Sequence, residues 1–181
     1  MSEIVVQKFG GTSVGTVDRI DSVAEIIKNA SKSNKIVVVV SAMGGETNRL
    51  VDLAKAFGDD PDKREFDALV STGETVSSAL LTMALHSKGV KAKSFSASQI
   101  SMRTTSSYSK AKILDVDAKK ILDVVENDTI PIITGFQGVT EGGDVTTLGR
   151  GGSDTTAVAI AAQISAITVS YTHLRAHETD S

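Results

Sequence analysis

The segment Ile36-Val37-Val38-Val39-Val40 constrains the fold more than any other stretch of this chain. Successive residues of a strand point to opposite faces, so five consecutive β-branched residues make both faces apolar. Such a strand needs cover on each side, which a parallel sheet flanked by helices supplies. The neighbouring segments fit that demand. Ile4-Val5-Val6 reads as a first strand, and Ile130 to Thr134 as another with Pro131 near its start. Between them lie helical periodicities: Val17, Ile20, Val23, Ala24 and Ile27; then Val76, Leu80 and Met83; then Ala118, Ile121, Leu122 and Val125. A last helical stretch, Thr155 to Ala166, is rich in small residues that allow close packing. The alternation predicts a three-layer α/β/α sandwich with a mainly parallel sheet.

With 181 residues, the chain is long enough for one domain with a substantial core. It is 40% hydrophobic and 23% charged, a globular composition. No apolar run approaches the roughly 20 residues needed to cross a bilayer, and the first residues carry no export signal, so a cytoplasmic location is expected. There are no cysteines, which excludes disulfides, thiolate metal sites and cysteine nucleophiles. A formal net charge of −3, without a basic cluster interleaved with aromatics, argues against nucleic acid as a partner. The stretch Gly58 to Asp62 reads as a surface turn rather than a domain boundary.

In a parallel α/β sheet, ligands sit where strands run into loops at their carboxyl ends. Three glycine-bearing loops occupy such places: Phe9 to Gly15, Ala42 to Glu46, and Gly135 to Gly152. Four glycine pairs fall in the sequence, at Gly10-Gly11, Gly44-Gly45, Gly142-Gly143 and Gly151-Gly152. An ordinary turn accounts for any single pair. The first loop is a near miss to the P-loop pattern: Gly10 and Gly15 are correctly spaced, but Thr16 stands where lysine is required. Lys8 lies upstream, at the end of the strand. Backbone amides at the glycine pair, the following helix N-terminus and the Lys8 charge can together take a phosphate. The last loop, Thr146 to Thr156, nearly matches a dinucleotide fingerprint, yet Asp154 holds the third glycine position. There Ser153 is a natural N-cap, Asp154 suits the helix dipole, and Arg150 can grip a carboxylate bidentately.

Five segments then occur in order: Lys8-Phe9-Gly10-Gly11-Thr12-Ser13, Ser41-Ala42-Met43-Gly44, Ser71-Thr72-Gly73-Glu74, Gly135-Phe136-Gln137-Gly138, and Thr147 through Asp154. Together they resemble the motifs of the aspartokinases, members of the amino-acid kinase group, over residues 3–168. The short connection between Met43 and Glu74 is similar to that of the monofunctional bacterial type. The resemblance implies transfer of the γ-phosphoryl group of ATP, taken as MgATP, to the β-carboxylate of L-aspartate. It implies that Lys8, Phe9, Gly10, Gly11, Ser13, Gly151 and Gly152 hold the nucleotide, with Lys8 also countering transition-state charge. It assigns Ser41, Thr47, Glu74, Arg150 and Ser153 to the amino acid, Glu74 to its ammonium and Arg150 to its α-carboxylate. Asp154 would orient Lys8. No protein metal ligand is expected. Glu46 departs from the pattern of many relatives and is expected to add a negative charge near an anionic substrate.

The resemblance also implies regions not found in these residues: the adenine and ribose pocket, a second phosphate lysine, and regulatory domains through which the parent enzyme would oligomerise. The chain as it stands is therefore expected to be an incomplete, inactive and poorly soluble catalytic domain over 1–169. From Ser170 the texture changes, and 170–181 reads as a non-native tail similar to adapter read-through. His173 and His177 have helical ligand spacing but lack the glutamate of the metalloprotease pattern, and His86, near a helix end, reads as structural or solvent-exposed rather than catalytic. Two rivals stay open: a related kinase with glutamate, acetylglutamate or a nucleotide monophosphate as acceptor, and a non-catalytic binding module of the same fold.

Overall fold

In the computed structural model, which describes residues 3–172, the chain begins with strand β1 (Ile4–Phe9), helix α1 (Val17–Ala30) and β2 (Lys35–Val40). Three helices follow, α2 (Glu46–Ala54), α3 (Lys63–Val70) and α4 (Thr72–Ser87). Then come β3 (Ala92–Phe95), β4 (Arg103–Thr104), β5 (Ile113–Asp115) and α5 (Ala118–Glu126). The last elements are β6 (Ile130–Thr134), β7 (Gln137–Val139), β8 (Val145–Thr147), α6 (Gly152–Ile164) and β9 (Thr168–Thr172).

The main sheet has strand order β3-β6-β2-β1-β9, and its pairings are all parallel. β2 sits at its centre and is covered twice, as its composition requires. Ile36, Val38 and Val40 pack with Ile20, Val23, Ala24 and Ile27 of α1 and with Leu81 and Leu85 of α4. Val37 and Val39 pack on the opposite side with Ile121 and Val125 of α5 and Ala157, Ile160 and Ile164 of α6. The same alternation fixes β1. Val6 belongs to the α5–α6 side, Phe9 to the α1–α4 side, and Lys8 shares the side of Val6 by period two. This places the lysine on the face that α6 covers.

Two helical stripes sit differently from the sequence pattern. Val17, in the first turn of α1, is 70% exposed, and on α4 Val76 and Met83 are exposed. The buried face of α4 carries Glu74, Ser77, Ser78, Leu81, Thr82 and Leu85 instead. These polar residues are tolerated inside because they find partners: Ser77 Oγ donates to the carbonyl of Ser41 at 2.7 Å and Thr82 Oγ1 to Ser78 at 2.8 Å.

The segment Gly135 to Gly152 is not a plain loop. It contains the β7–β8 hairpin, part of a second, four-stranded sheet of order β5-β4-β7-β8. Its strands are too short, at two or three residues, to show a periodicity. Ser170, Tyr171 and Thr172 pair with Gln7, Lys8 and Phe9, so the change of texture at Ser170 falls inside β9. The remainder of the tail, with His173 and His177, lies outside the described residues. His86 Nε2 contacts the Ala92 carbonyl at 2.7 Å, a structural role.

Candidate active site

The carboxyl ends of β1, β2 and β6 open into a cleft of about 590 Å³. Two backbone segments meet at its base. The amide of Gly44 donates to the Gly11 carbonyl at 2.9 Å. A Cβ on Gly11 would lie 3.0 Å from the Ala42 carbonyl oxygen, and one on Gly44 3.2 Å from that of Gly11. Gly11 and Gly44 are thus needed for a close approach of two main chains, where a side chain would hold them apart. Thr16, the residue at the P-loop lysine position, caps α1 by accepting from the Arg19 amide at 3.1 Å.

Lys8 Nζ lies 3.0 Å from Asp154 Oδ1, with the lysine side chain nearly buried and the aspartate half exposed. The pair joins the end of β1 to the first turn of α6. The helix starts two residues earlier than its serine suggests. Gly151, at φ +68°, is the N-cap, and Ser153 lies inside the first turn. The left-handed backbone required there suits glycine, and this outweighs the capping preference of serine. Ser153 instead fills the space beside Gly135, where an added Cβ would collide with its side chain.

Glu74 is a second buried ionisable group on the cleft wall. It is 3% exposed, accepts one bond from the Ala42 amide at 3.3 Å through Oε1, and its Oε2 has no hydrogen-bond partner among the described residues. Burial pushes its pKa up to about 8, against the smaller lowering effect of its own and the Ala42 amides. A Cβ on Gly73 would lie 2.8 Å from that of Ala42, so glycine lets α4 bring Glu74 against the loop after β2. The unsatisfied carboxylate oxygen is suited to receive a cation or an N–H donor.

Lys8, Gly11, Ser41, Thr47, Glu74, Arg150, Gly151, Gly152, Ser153 and Asp154 all line this one cleft. Phe9, Gly10 and Ser13 do not. The Phe9 side chain is in the core, and Ser13 Oγ donates to the Thr172 carbonyl at 3.0 Å. Glu46 is not among the lining residues either. Its carboxylate takes Arg49 Nη2 at 2.7 Å and Nε at 3.1 Å, and this pairing lowers its pKa. The charge expected to oppose an anionic substrate is therefore paired with Arg49.

Several further lining residues were given no role by the resemblance, Phe66 and Val70 of α3 and Ser109 from outside its five segments and Phe136 and Thr147 from within them. They complete the walls. Gln137, buried, ties the end of β6 to the start of α4 behind them. Its Nε2 donates to the Ser71 carbonyl at 2.6 Å and to Thr75 Oγ1 at 3.0 Å, and its Oε1 accepts from Thr134 Oγ1 at 2.8 Å. The arrangement offers an anion subsite at Lys8 and the α6 N-terminus, a buried carboxylate for a cation, and an exposed guanidinium in one cavity.

Comparison with known proteins matches this geometry to one group. Residues 3–173 match the amino acid kinase family profile. The aspartate kinase of Stutzerimonas stutzeri is 54% identical over 164 residues, covering 90% of this chain and 40% of that protein. The aspartate kinase structure from Synechocystis superimposes with a TM-score of 0.80 at 43% identity, over 94% of this chain and 28% of that one. Escherichia coli aspartokinase III in complex with aspartate and ADP gives 0.83 at 28% identity, over 93% and 48%. The chain spans about 40% of the length of the curated relatives it matches. By the match over nearly its whole length, this chain belongs to the amino acid kinase family.

Proposed function

We propose that this chain carries the amino-acid half of an aspartate kinase site, with L-aspartate as phosphoryl acceptor and ATP as donor. The observation that carries the reading is Glu74: a buried carboxylate with one unpartnered oxygen, in the same cleft as Arg150 and the Lys8–Asp154 pair. A zwitterionic dicarboxylate answers each feature. Its ammonium supplies Glu74 with a charge partner, its α-carboxylate takes Arg150 bidentately, and its β-carboxylate is left toward Lys8. Ser41, Thr47 and Ser153 border the same space and supply polar contacts.

In the reaction, a β-carboxylate oxygen attacks the γ-phosphorus while the bond to the bridging oxygen of ADP breaks. The products are 4-phospho-L-aspartate and ADP. The attacking carboxylate is already ionised at neutral pH, so no general base is needed. The protein contributes alignment and charge stabilisation. Lys8 offsets negative charge on the transferring group, Asp154 fixes where its ammonium points, and Gly11, Gly151 and Gly152 let the backbone approach the phosphates. Mg²⁺ arrives with the nucleotide as part of that substrate. Adenine and ribose contacts, regulatory domains and oligomeric contacts are assigned to the longer parent enzyme, a cytoplasmic enzyme of amino-acid synthesis.

The test is a chimera in which residues 1–172 replace the matching segment of the Geobacillus stearothermophilus aspartokinase, a 54% identical relative. ATP-dependent acyl phosphate, trapped with hydroxylamine, should form with L-aspartate and not with L-glutamate or N-acetyl-L-glutamate. Turnover of either longer acceptor in preference to L-aspartate would overturn the assignment.

A further inference from the structure

Asp67 is fully buried in α3, outside every segment that carried the resemblance. Its Oδ2 accepts from the backbone amides of Ser109 and Thr147, each at 2.8 Å, and its Oδ1 from their two hydroxyls, each at 3.0 Å. One carboxylate thus grips two segments remote in sequence at both main chain and side chain. Ser109 needs such a hold, because its φ of +68° is unfavourable for a residue with a Cβ. The two segments are also joined directly, the Ala111 amide donating to the Thr147 carbonyl at 3.0 Å. A Cβ on Gly149 would lie 3.2 Å from the Ser109 carbonyl oxygen, so the turn after β8 rests against the Ser109 loop. Arg150 is the next residue. Ser109, Thr147 and Arg150 all line the cleft.

We propose that Asp67 is a positioning residue: by clamping Ser109 and Thr147 it fixes the turn that presents Arg150 to the α-carboxylate of the acceptor. The proposal rests on the aspartate reading above. It is a role of geometry rather than of charge, and this follows from the partners. Oδ2 faces two N–H groups and must be an acceptor. Oδ1 faces two hydroxyls, which can rotate to donate or accept. An asparagine at this position can therefore keep its carbonyl toward the amides and let its NH₂ donate to the hydroxyls.

The experiment measures binding of two probes to the 181-residue chain: L-aspartate, and β-alanine, which is L-aspartate without its α-carboxylate. The readout is the ratio of the two dissociation constants, which a general loss of fold would not move selectively. Asp67→Ala should cut the preference for L-aspartate about tenfold while β-alanine affinity stays within about twofold, the cost of misplacing one aligned group. Asp67→Asn should restore the preference to within about threefold, since its bonds can be remade. An unchanged ratio in Asp67→Ala, or Asp67→Asn as impaired as Asp67→Ala, overturns the proposal. Should Asp67→Ala bind neither probe, Thr147→Val decides: it removes one hydroxyl bond, and the ratio must fall for the proposal to stand. Arg150→Ala separates the two levels of argument. If it lowers the ratio and Asp67→Ala does not, the aspartate reading survives and the Asp67 role fails. If wild type shows no preference, or Arg150→Ala leaves it intact, the underlying reading fails and takes this one with it.

Discussion

Lys8 and Asp154 meet at 3.0 Å across the carboxyl edge of the sheet, one closing the first strand and the other opening the last helix. The lysine is largely buried and the aspartate is not, so the aspartate can hold its partner's direction while staying open to the cleft. In the chimera, Lys8→Ala should lower turnover by about 10²- to 10³-fold, the scale of removing one charge-stabilising donor. L-Aspartate binding by the chain itself should change little. Steady-state kinetics beside calorimetric binding would separate the two effects, and a large loss of L-aspartate affinity with turnover intact would contradict this role.

Asp154→Asn keeps the shape of the side chain and removes the charge that aligns Lys8. Turnover should fall less than for Lys8→Ala, by about tenfold, and chiefly in kcat. A variant with normal kcat would show that Lys8 finds its place unaided.

The proposed role of Glu74 predicts that ligand binding depends on pH. In the free chain burial holds its pKa at about 8, so at pH 7 most molecules carry it protonated. An incoming ammonium favours the ionised form, and binding then releases a proton. Affinity for L-aspartate should rise by up to about tenfold per unit as pH approaches 8 and level off above it. Calorimetry in buffers of different ionisation heat would report the released proton. No release at pH 7 would contradict the account.

The same group bears on stability. A carboxyl whose folded pKa is raised from 4.5 to about 8 favours the folded chain at low pH, and that contribution is lost as pH climbs through this window. Glu74→Gln cannot ionise. Its melting temperature should therefore exceed that of wild type at pH 9 and approach it near pH 5, as thermal unfolding across pH would show. Parallel pH curves for the two proteins would argue against a buried, ionisable Glu74.

Gly73→Ala tests the packing that delivers Glu74. Its new Cβ would lie 2.8 Å from the Ala42 Cβ, closer than side chains tolerate, and α4 would have to shift. The expected cost is about 1–3 kcal/mol in urea unfolding, with weaker L-aspartate binding. Gly143→Ala, a control at φ +92° with open space around it, should cost only backbone strain of about 1 kcal/mol and leave binding unchanged.

Much of the architecture was legible because burial on two faces leaves a mark in one segment, as in Ile36 to Val40. The cleft was legible where glycine is demanded, by close approach at Gly11, Gly44 and Gly73 and by a left-handed turn at Gly151. Other features escaped for physical reasons. Val76, Leu80 and Met83 make a helical stripe, but α4 runs beneath the site and buries hydrogen-bonded serines instead. Ser153 has the chemistry of a cap, yet the left-handed turn at Gly151 sets the helix start. Asp67 acts through Ser109 and Thr147, in a loop and a three-residue strand that carry no period, and Gln137, though inside one of the five segments, gains its role only from bonds to Ser71, Thr75 and Thr134 that the fold brings together. A charged residue between Phe66 and Val70 on one helical face was the only sign that Asp67 was buried.

The most direct test is calorimetric titration of the 181-residue chain at pH 8 with L-aspartate, L-glutamate, succinate and β-alanine. Succinate lacks the ammonium that Glu74 would meet, and β-alanine lacks the carboxylate that Arg150 would meet. The account predicts that L-aspartate binds most tightly and that Glu74→Ala abolishes its advantage over succinate. Equal binding of L-aspartate and succinate by the wild-type chain, or tighter binding of L-glutamate, would contradict it.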